Sequence, residues 1–281
     1  MPVTFTITEP NNGGSKTITS DCVPNPNAPQ PDGGYWMVDS AGIVYDFGLA
    51  GRHGRHFTAV DIEPTPESNG YWIVSGEGQI AALGGANQYG EKFPALQPGE
   101  IVTSLSRSAS GNGYILFTTL GRALNYGDAP HLGDMSGKQL NAPVVDSITT
   151  PSCNGYYMVA ADGGVFTFGD AKFAGSTGDM RLNQPVASLV PDPDKNGYWL
   201  VASDGGVFAF DAPFKGSMGG TKLNRPITGM VPSGDGYIMV AEDGGIFTFG
   251  NNVRFWGSLG DNPPPDPIVA VAPYERPQPS A

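Results

Sequence analysis

Residues 197–216 read GYWLVASDGGVFAFDAPFKG, and the rest of the chain is best understood from this stretch. It contains two apolar runs, Tyr198–Ala202 and Val207–Phe210, joined by Asp204 and Gly205. An Asp-Gly pair between two such runs predicts a β-hairpin with a type I′ turn, because both central residues of that turn need a positive φ angle. The stretch therefore predicts two antiparallel strands.

The same hairpin text recurs along the chain. Six copies begin with a Gly-Tyr pair, and their tyrosines are Tyr35, Tyr71, Tyr114, Tyr156, Tyr198 and Tyr237. By subtraction of these residue numbers the spacings are 36, 43, 42, 42 and 39 residues. Repeats of about 40 residues built only from strand signals predict propeller blades, each a four-stranded sheet. The missing 3.6-residue periodicity excludes helical repeats of similar length.

The fifth copy gives a complete predicted blade. Its first strand is Pro185–Val190, its second and third are the two runs of the hairpin, and a short fourth strand lies around Phe214–Ser217. The second and third strands are apolar at nearly every position. This pattern predicts a sheet that is covered on both faces, as stacked blades are.

The two ends of the repeat array complement each other. No strand precedes Tyr35 in the first copy, whereas a spare strand, PIVAVAP at Pro267–Pro273, follows the last copy. We expect the spare strand to pair with the first Tyr-Trp strand, which would leave no exposed sheet edge. The predicted fold is all-β, a six-bladed β-propeller over residues 31–275 that is closed by the C-terminal strand.

The residues outside this ring have a different pattern. VTFTIT and KTIT within residues 1–30 predict an N-terminal β arm, a small hairpin followed by a Pro-rich linker. The arm either packs on the propeller or docks another subunit. Residues 276–281 form a short C-terminal tail.

The charge of the chain restricts its partners. Among 281 residues, 27 are acidic and 15 basic, which gives a net charge of −12. This acidity argues against nucleic acid or an anionic membrane as a partner. No run of about 18 apolar residues exists, so no membrane insertion is expected. The N-terminal MPVTFTITEP has neither the basic nor the apolar region of a secretory signal.

The two cysteines, Cys22 and Cys153, are far apart in sequence and outside any metal-ligand spacing. We expect two buried thiols, and their spacing leaves a disulfide open. They do not indicate a cellular compartment.

The repeated aspartates Asp162, Asp204 and Asp243 could form an acidic ring that holds Ca²⁺. The Asp-Gly turn requires Asp for its own geometry, however, and Ca²⁺ needs six to eight converging oxygens. We therefore interpret these residues as turn residues. The aromatic pairs of the third strands, such as Phe208 and Phe210, are interpreted as packing between blades.

Positions that break the repeat are better binding candidates. The first copy carries a cationic patch, Arg52, His53, Arg55 and His56, which could meet phosphate or carboxylate groups of a cell-wall polymer or an acidic neighbouring subunit. The alternative is a solvated outer edge whose charges prevent strand pairing. Tyr89 and Trp256 occupy the position of His53 in their own copies, where we expect them to be exposed.

Enzyme signatures are absent from the sequence. It contains no G-x-S-x-G, no H-E-x-x-H, no phosphate loop and no Cys/His cluster. We therefore expect no catalytic residues, no cofactor and no bound metal. A propeller hydrolase remains an alternative, because such sites assemble from separate blades and leave little linear trace.

The motif GYW-[LMI]-V-x-x-x-G-[GA]-[VI]-[FVY]-x-F-G-D-A resembles a known repeat type over residues 33–274, most closely in copies four to six. Such repeats occur in exported actinobacterial proteins, often beside cell-wall hydrolase domains, and in tail proteins of phages that infect those bacteria. The resemblance implies a propeller-like scaffold with a role at the cell surface. It carries no catalytic residues over to this chain.

The absence of an export signal, taken with this resemblance, favours a phage particle, which assembles inside the cell and acts outside it. We expect a virion protein, a minor tail or tail-tip protein, that binds the host cell envelope or neighbouring tail subunits. The alternative is a glycan- or cell-wall-binding module of an exported actinobacterial protein, located at the cell surface. The expected partners are other virion proteins and a bacterial cell-wall glycan.

Overall fold

The computed structural model describes residues 3–8, 15–20, 33–51, 57–90, 93–150, 152–192 and 197–274. The chain divides into two compact units, residues 1–32 and residues 33–281. In the first unit, strands β1 (Val3–Thr8) and β2 (Ser15–Ser20) pair antiparallel, with Val3 opposite Ser20. The hairpin predicted from the alternating sequence is therefore confirmed.

The described residues of the second unit form six antiparallel sheets of three strands each. In chain order its strands are β3 (Gly34–Asp39), β4 (Val44–Gly48), β5 (Asp61–Pro64), β6 (Gly70–Val74), β7 (Ile80–Gly84), β8 (Val102–Arg107), β9 (Gly113–Thr118), β10 (Ala123–Gly127), β11 (Val144–Thr149), β12 (Gly155–Ala160), β13 (Val165–Gly169), β14 (Val186–Pro191), β15 (Tyr198–Ala202), β16 (Val207–Phe210), β17 (Ile227–Ser233), β18 (Gly236–Ala241), β19 (Ile246–Phe249) and β20 (Ile268–Tyr274). The part of the chain that the structure describes has no helix, hence no helical segment able to cross a membrane.

Each sheet has the Gly-Tyr strand of its repeat in the middle, so that for example β15 lies between β14 and β16. Every residue of β9, β12, β15 and β18 is buried. A strand covered on both faces needs apolar side chains at consecutive positions, which explains the non-alternating sequence. The predicted all-β repeat of stacked sheets is confirmed.

The C-terminal strand belongs to the same sheet as the first repeat. β20 pairs antiparallel with β3, with Val271 opposite Met37 and Ala272 opposite Trp36. The order of this sheet is β20-β3-β4. The pairing of the spare apolar run with the first Tyr-Trp strand was predicted from the missing strand before Tyr35 and is observed.

The fourth strand predicted at Phe214–Ser217 is wrong, since each of the six sheets has three strands. The Tyr237 hydroxyl of the next sheet donates to the Gly216 carbonyl at 2.6 Å. Gly216 has a φ of +137°, and a Cβ atom there would lie 2.4 Å from the Phe249 ring. The segment therefore packs against the next sheet, and its backbone is not available for a ladder with β16.

The hairpin turns also differ from the predicted type I′ turn. Gly163 has a φ of +81°, whereas Ala161 and Asp162 have no positive φ. The Gly163 N–H donates to the Ala160 carbonyl at 2.8 Å, so the turn is type I followed by a left-handed glycine. Asp162 Oδ1 accepts from the Gly164 N–H at 3.0 Å. This carboxylate thus stabilises the turn.

Replacement of Gly163 by alanine should lower the free energy of unfolding by about 2 kcal/mol or more. The positive φ is costly for alanine, and its Cβ would lie 1.7 Å from the buried Thr177 Oγ1. Gly220→Ala is the matched control, because Gly220 has a φ of +83° and open space around it. Urea unfolding should give a clearly larger loss for Gly163→Ala, and equal losses would contradict the role of the steric contact.

The first strands of the sheets lie beside one another. β5 contacts β8, β8 contacts β11, and the series continues through β14, β17 and β20, which also contacts β5. All six strands line one cavity of about 360 Å³. We call these six strands the inner strands and the cavity the central cavity.

Candidate functional site

In repeats four to six, a tyrosine of the next sheet is bonded to the loop that follows the third strand. The hydroxyl of Tyr198 donates to the Gly175 carbonyl, that of Tyr237 to Gly216, and that of Tyr35 to Gly257. The same tyrosines are the anchors of the sequence repeat. Their repetition therefore places the three loops in equivalent positions.

Two residues before each of these glycines stands an exposed phenylalanine. Phe173, Phe214 and Phe255 each expose 60% of their surface. Exposed apolar side chains scattered singly are ordinary, but the same exposed ring on three consecutive repeats makes these positions candidates for a binding surface. We call these three residues the repeat phenylalanines.

The backbone on both sides of Phe214 is fixed by hydrogen bonds. In the fifth repeat, the Trp199 indole donates to the Pro213 carbonyl at 3.0 Å, and the Tyr237 hydroxyl donates to Gly216 at 2.6 Å. Phe214 lies between these two anchored carbonyls. Because the backbone of this loop is already fixed, the loop loses little conformational freedom on binding, which favours affinity.

The exposure predicted for Tyr89 and Trp256 is wrong, because both are half-buried. The Trp256 ring packs against the cluster around Tyr35, and the Trp256 backbone N–H donates to the Tyr35 hydroxyl at 3.3 Å. Tyr89 packs on Tyr114, with ring centroids 5.9 Å apart. Both residues directly precede the loop glycine, which faces the next sheet. The exposed position is one residue earlier.

The predicted cationic patch, Arg52, His53, Arg55 and His56, lies outside the described residues. The sequence reasoning missed the repeat phenylalanines because it assigned Phe214 to a fourth strand. The signal that could have found them is the spacing Phe-x-Gly, which occurs as FAG, FKG and FWG in copies four to six.

The central cavity contains carboxylates that the sequence reasoning also missed. Asp61 Oδ2 accepts from the Leu105 N–H of the next inner strand at 2.8 Å. Asp146 Oδ2 accepts from the Leu189 N–H at 2.9 Å and from the Ser188 hydroxyl at 2.7 Å. Each carboxylate therefore joins one inner strand to its neighbour. The signal was an acidic residue in a strand that is apolar in other copies.

The polar groups occupy one side of this cavity. The hydroxyls of Ser104 and Ser147 lie 2.6 Å apart and join β8 to β11, which links the strand pair held by Asp61 to the pair held by Asp146. The opposite wall is formed by aliphatic, methionine, proline and glycine residues with one threonine, which are Thr228, Gly229, Met230, Val231, Pro232, Val269, Ala270, Val271, Ala272 and Pro273. The cavity is thus polar along four inner strands and largely apolar along two.

Three carboxyl groups line the central cavity, those of Asp61, Glu63 and Asp146, and burial raises the pKa of each. The pKa of Glu63 is raised to about 7 and that of Asp146 to about 6, and that of Asp61 is raised well above its usual range. The negative charge of Asp146 adds to the effect at Asp61 and Glu63. Arg107, whose Nε lies 3.5 Å from Glu63 Oε1, opposes the rise at Glu63.

The free energy of unfolding should fall as pH rises from 5 to 7.5. The folded chain keeps protons on Glu63 and Asp146 that the unfolded chain has already released, so raising the pH favours unfolding. One pKa unit corresponds to about 1.4 kcal/mol, so the two groups together change stability by on the order of 3 kcal/mol.

Urea unfolding at several pH values measures this slope. Glu63→Gln removes one titrating group and should flatten the slope, whereas Glu67→Gln, at an exposed position, should leave it unchanged. A free energy of unfolding that increases with pH over this interval would contradict the assignment.

Cys153 carries a free thiol and is half-buried, so the expectation of a buried thiol is met only in part. Cys22 lies outside the described residues. Within the described ranges, no three His, Cys, Asp or Glu side chains are grouped to hold a metal ion.

No protein-family model matches the sequence, and no curated protein matches it. Two similar solved structures are a nidogen–laminin complex and the WD40 β-propeller domain of Doa1. The first has a TM-score of 0.56 at 9% identity and covers 87% of this chain and 99% of that chain. The second has a TM-score of 0.50 at 15% identity and covers 78% and 76%. At these identities the likeness shows a β-propeller fold and nothing further.

Proposed function

We propose that residues 33–274 form a closed six-bladed β-propeller that acts as a non-enzymatic binding module through the repeat phenylalanines. The contact of β20 with both β3 and β5 supports a closed ring, since the last inner strand meets the first ones. The single observation that carries the binding role is the 60% exposure of the same ring on three consecutive repeats.

The proposed setting is a phage particle, in which the chain is a minor tail or tail-tip protein that contacts the host cell envelope or neighbouring subunits. The repeat type supports this setting. Mass spectrometry of purified particles should detect peptides of this chain. Detection only in the secreted fraction of bacteria would contradict the virion setting and favour a module of an exported cell-surface protein.

The cavity carboxylates have a structural role in this proposal. Carboxyls with a raised pKa in a cavity are also candidates for acid–base catalysis. Here, however, Asp61 and Asp146 accept hydrogen bonds from backbone N–H groups of the adjacent inner strands, so joining the strands accounts for their presence. A hydrolytic activity on envelope polysaccharide that Asp146→Asn abolishes in a folded chain would contradict this part of the proposal.

Retention of the labelled full chain on isolated host cell envelopes tests the binding surface. The triple variant Phe173→Ser, Phe214→Ser, Phe255→Ser should lower retention at least about tenfold. Leu120→Ser with Met180→Ser is the matched control, because these side chains are 42% and 58% exposed and lie outside the phenylalanine positions. Equal retention of both variants would contradict the proposed surface.

A further inference from the structure

The repeat phenylalanines present the same group once per sheet on three consecutive sheets. Their loops are held in the same way, by a tyrosine of the next sheet. A surface with this internal repeat fits a ligand that has a repeat of its own, because each ligand unit can make the same contact. A linear polymer is therefore better matched to it than a globular partner.

The exposed face of each ring suits a sugar. The face of an aromatic ring carries partial negative charge. The C–H hydrogens on one side of a sugar ring carry partial positive charge, so this side stacks on the aromatic face. Because the loop backbone is already fixed, as at Pro213 and Gly216, little entropy is lost when the sugar binds.

A cationic residue is adjacent in sequence to each repeat phenylalanine. Lys172 and Arg254 directly precede Phe173 and Phe255, and both are exposed. Lys215 follows Phe214 and pairs with Asp235 at 3.1 Å. Arg254 also lies over the Trp256 ring, with its guanidinium carbon 5.7 Å from the ring centroid. Each repeat phenylalanine thus has a cationic residue next to it in sequence, on a chain whose net charge is −12.

Asp170, the carboxylate nearest to Lys172 in sequence, is held by hydroxyl groups rather than by a cation. Asp170 accepts from the hydroxyls of Thr150 and Ser152 at 2.9 and 2.5 Å, so its oxygens are engaged. Lys172 and Arg254 are in no ion pair with another described residue. Two exposed cations therefore face solvent beside two exposed rings.

We propose that the repeat phenylalanines, with Lys172 and Arg254, bind an anionic polysaccharide whose sugar rings stack on successive phenylalanines; this rests on the binding function proposed above. A sparsely charged polysaccharide fits better than a nucleic acid. Lys172 and Arg254, unpaired among the described residues, supply two cations for three rings, and the net charge of −12 repels a polymer with a phosphate on every unit.

Three defined polymers test the proposal with the full chain. Partly methyl-esterified polygalacturonate, called polygalacturonate below, carries sugar rings and scattered carboxylates, its fully methyl-esterified form keeps the rings without the charge, and poly-dT carries phosphates and stacking bases. Polygalacturonate should bind at least about tenfold more tightly than either, with an affinity that falls as salt rises. Equal binding of the methyl ester, or tighter binding of poly-dT, would overturn the proposal.

Variants locate the contact on the protein. Each Phe→Ser substitution at the three positions should weaken polygalacturonate binding about tenfold. Lys172→Gln with Arg254→Gln should weaken polygalacturonate binding and leave binding of the methyl ester unchanged. Unchanged affinity in the triple serine variant would overturn the proposal.

A variant that gains affinity gives a second test, which does not depend on loss of polygalacturonate binding. His131 is exposed and stands two residues before Gly133, whose carbonyl accepts from the Tyr156 hydroxyl, so it occupies the phenylalanine position of the third repeat. His131→Phe adds a fourth ring and should tighten polygalacturonate binding at least about threefold. No gain would contradict a polymer that runs across successive sheets.

The two proposals can fail separately. Envelope retention that depends on the phenylalanines, without any binding of polygalacturonate, would overturn the anionic polysaccharide and leave the binding module standing. Polygalacturonate binding that depends on the phenylalanines, without envelope retention, would support the ligand class and contradict the host envelope as its source.

Discussion

A chain that ends at Asp266 should not fold into the native sheets. This truncation removes β20, so β3 loses its partner in the sheet β20-β3-β4. It also removes Ile268, Val271 and Ala272, which are 0%, 9% and 1% exposed. Each fully buried Val or Ile contributes about 1.5–3 kcal/mol, and whole domains are stable by only about 5–15 kcal/mol.

A chain that ends at Tyr274 is the control, because it keeps β20 complete. Circular dichroism and urea unfolding should show a cooperative transition for this control and none for the shorter chain. A synthetic peptide of residues 267–274 should restore part of the transition when added to the shorter chain. Cooperative unfolding of the shorter chain at the midpoint of the full chain would contradict the role of β20.

Replacement of Trp199 by alanine should lower the free energy of unfolding by about 3–5 kcal/mol. Trp199 is 1% exposed and packs on Tyr237 of the next sheet, with ring centroids 5.2 Å apart. The substitution leaves a cavity between two sheets. It also removes the indole N–H that donates to the Pro213 carbonyl at 3.0 Å.

Trp256→Ala is the matched control, since it removes the same side chain from a half-buried position. Its cost should be less than half that of Trp199→Ala, because the loss of buried area is smaller. Both costs come from urea unfolding followed by circular dichroism. Equal costs would contradict the distinction between a tryptophan between two sheets and one in a surface loop.

Much of the architecture could be predicted from the residues alone. The Gly-Tyr copies identified the middle strand of each sheet, and the unpaired apolar run near Ile268 identified its partner at Tyr35. These predictions succeeded because they depend on local alternation, on apolar runs and on the need to pair every strand edge.

The details of the turns and of the loops after β16 were predicted wrongly. The Asp-Gly pair is compatible with more than one type of hairpin turn. In the Asp162-Gly163 turn, only the glycine of the pair has a positive φ. The sequence predicted a fourth strand around Phe214–Ser217. The backbone carbonyls of this segment are instead bonded to Trp199 and to Tyr237 of the next sheet.

The sequence by itself thus determined the strands, their repeat and the pairing of the two ends of the repeat array, because these follow from apolar runs and from the need to pair each strand edge. Only the tertiary structure decided which aromatic side chains reach solvent and which acidic residues meet in the central cavity. Phe255 is exposed while its neighbour Trp256 is half-buried, and Asp146 bonds to Leu189 of another repeat. Such outcomes depend on how adjacent sheets pack, and the strand pattern of a single repeat does not specify that packing.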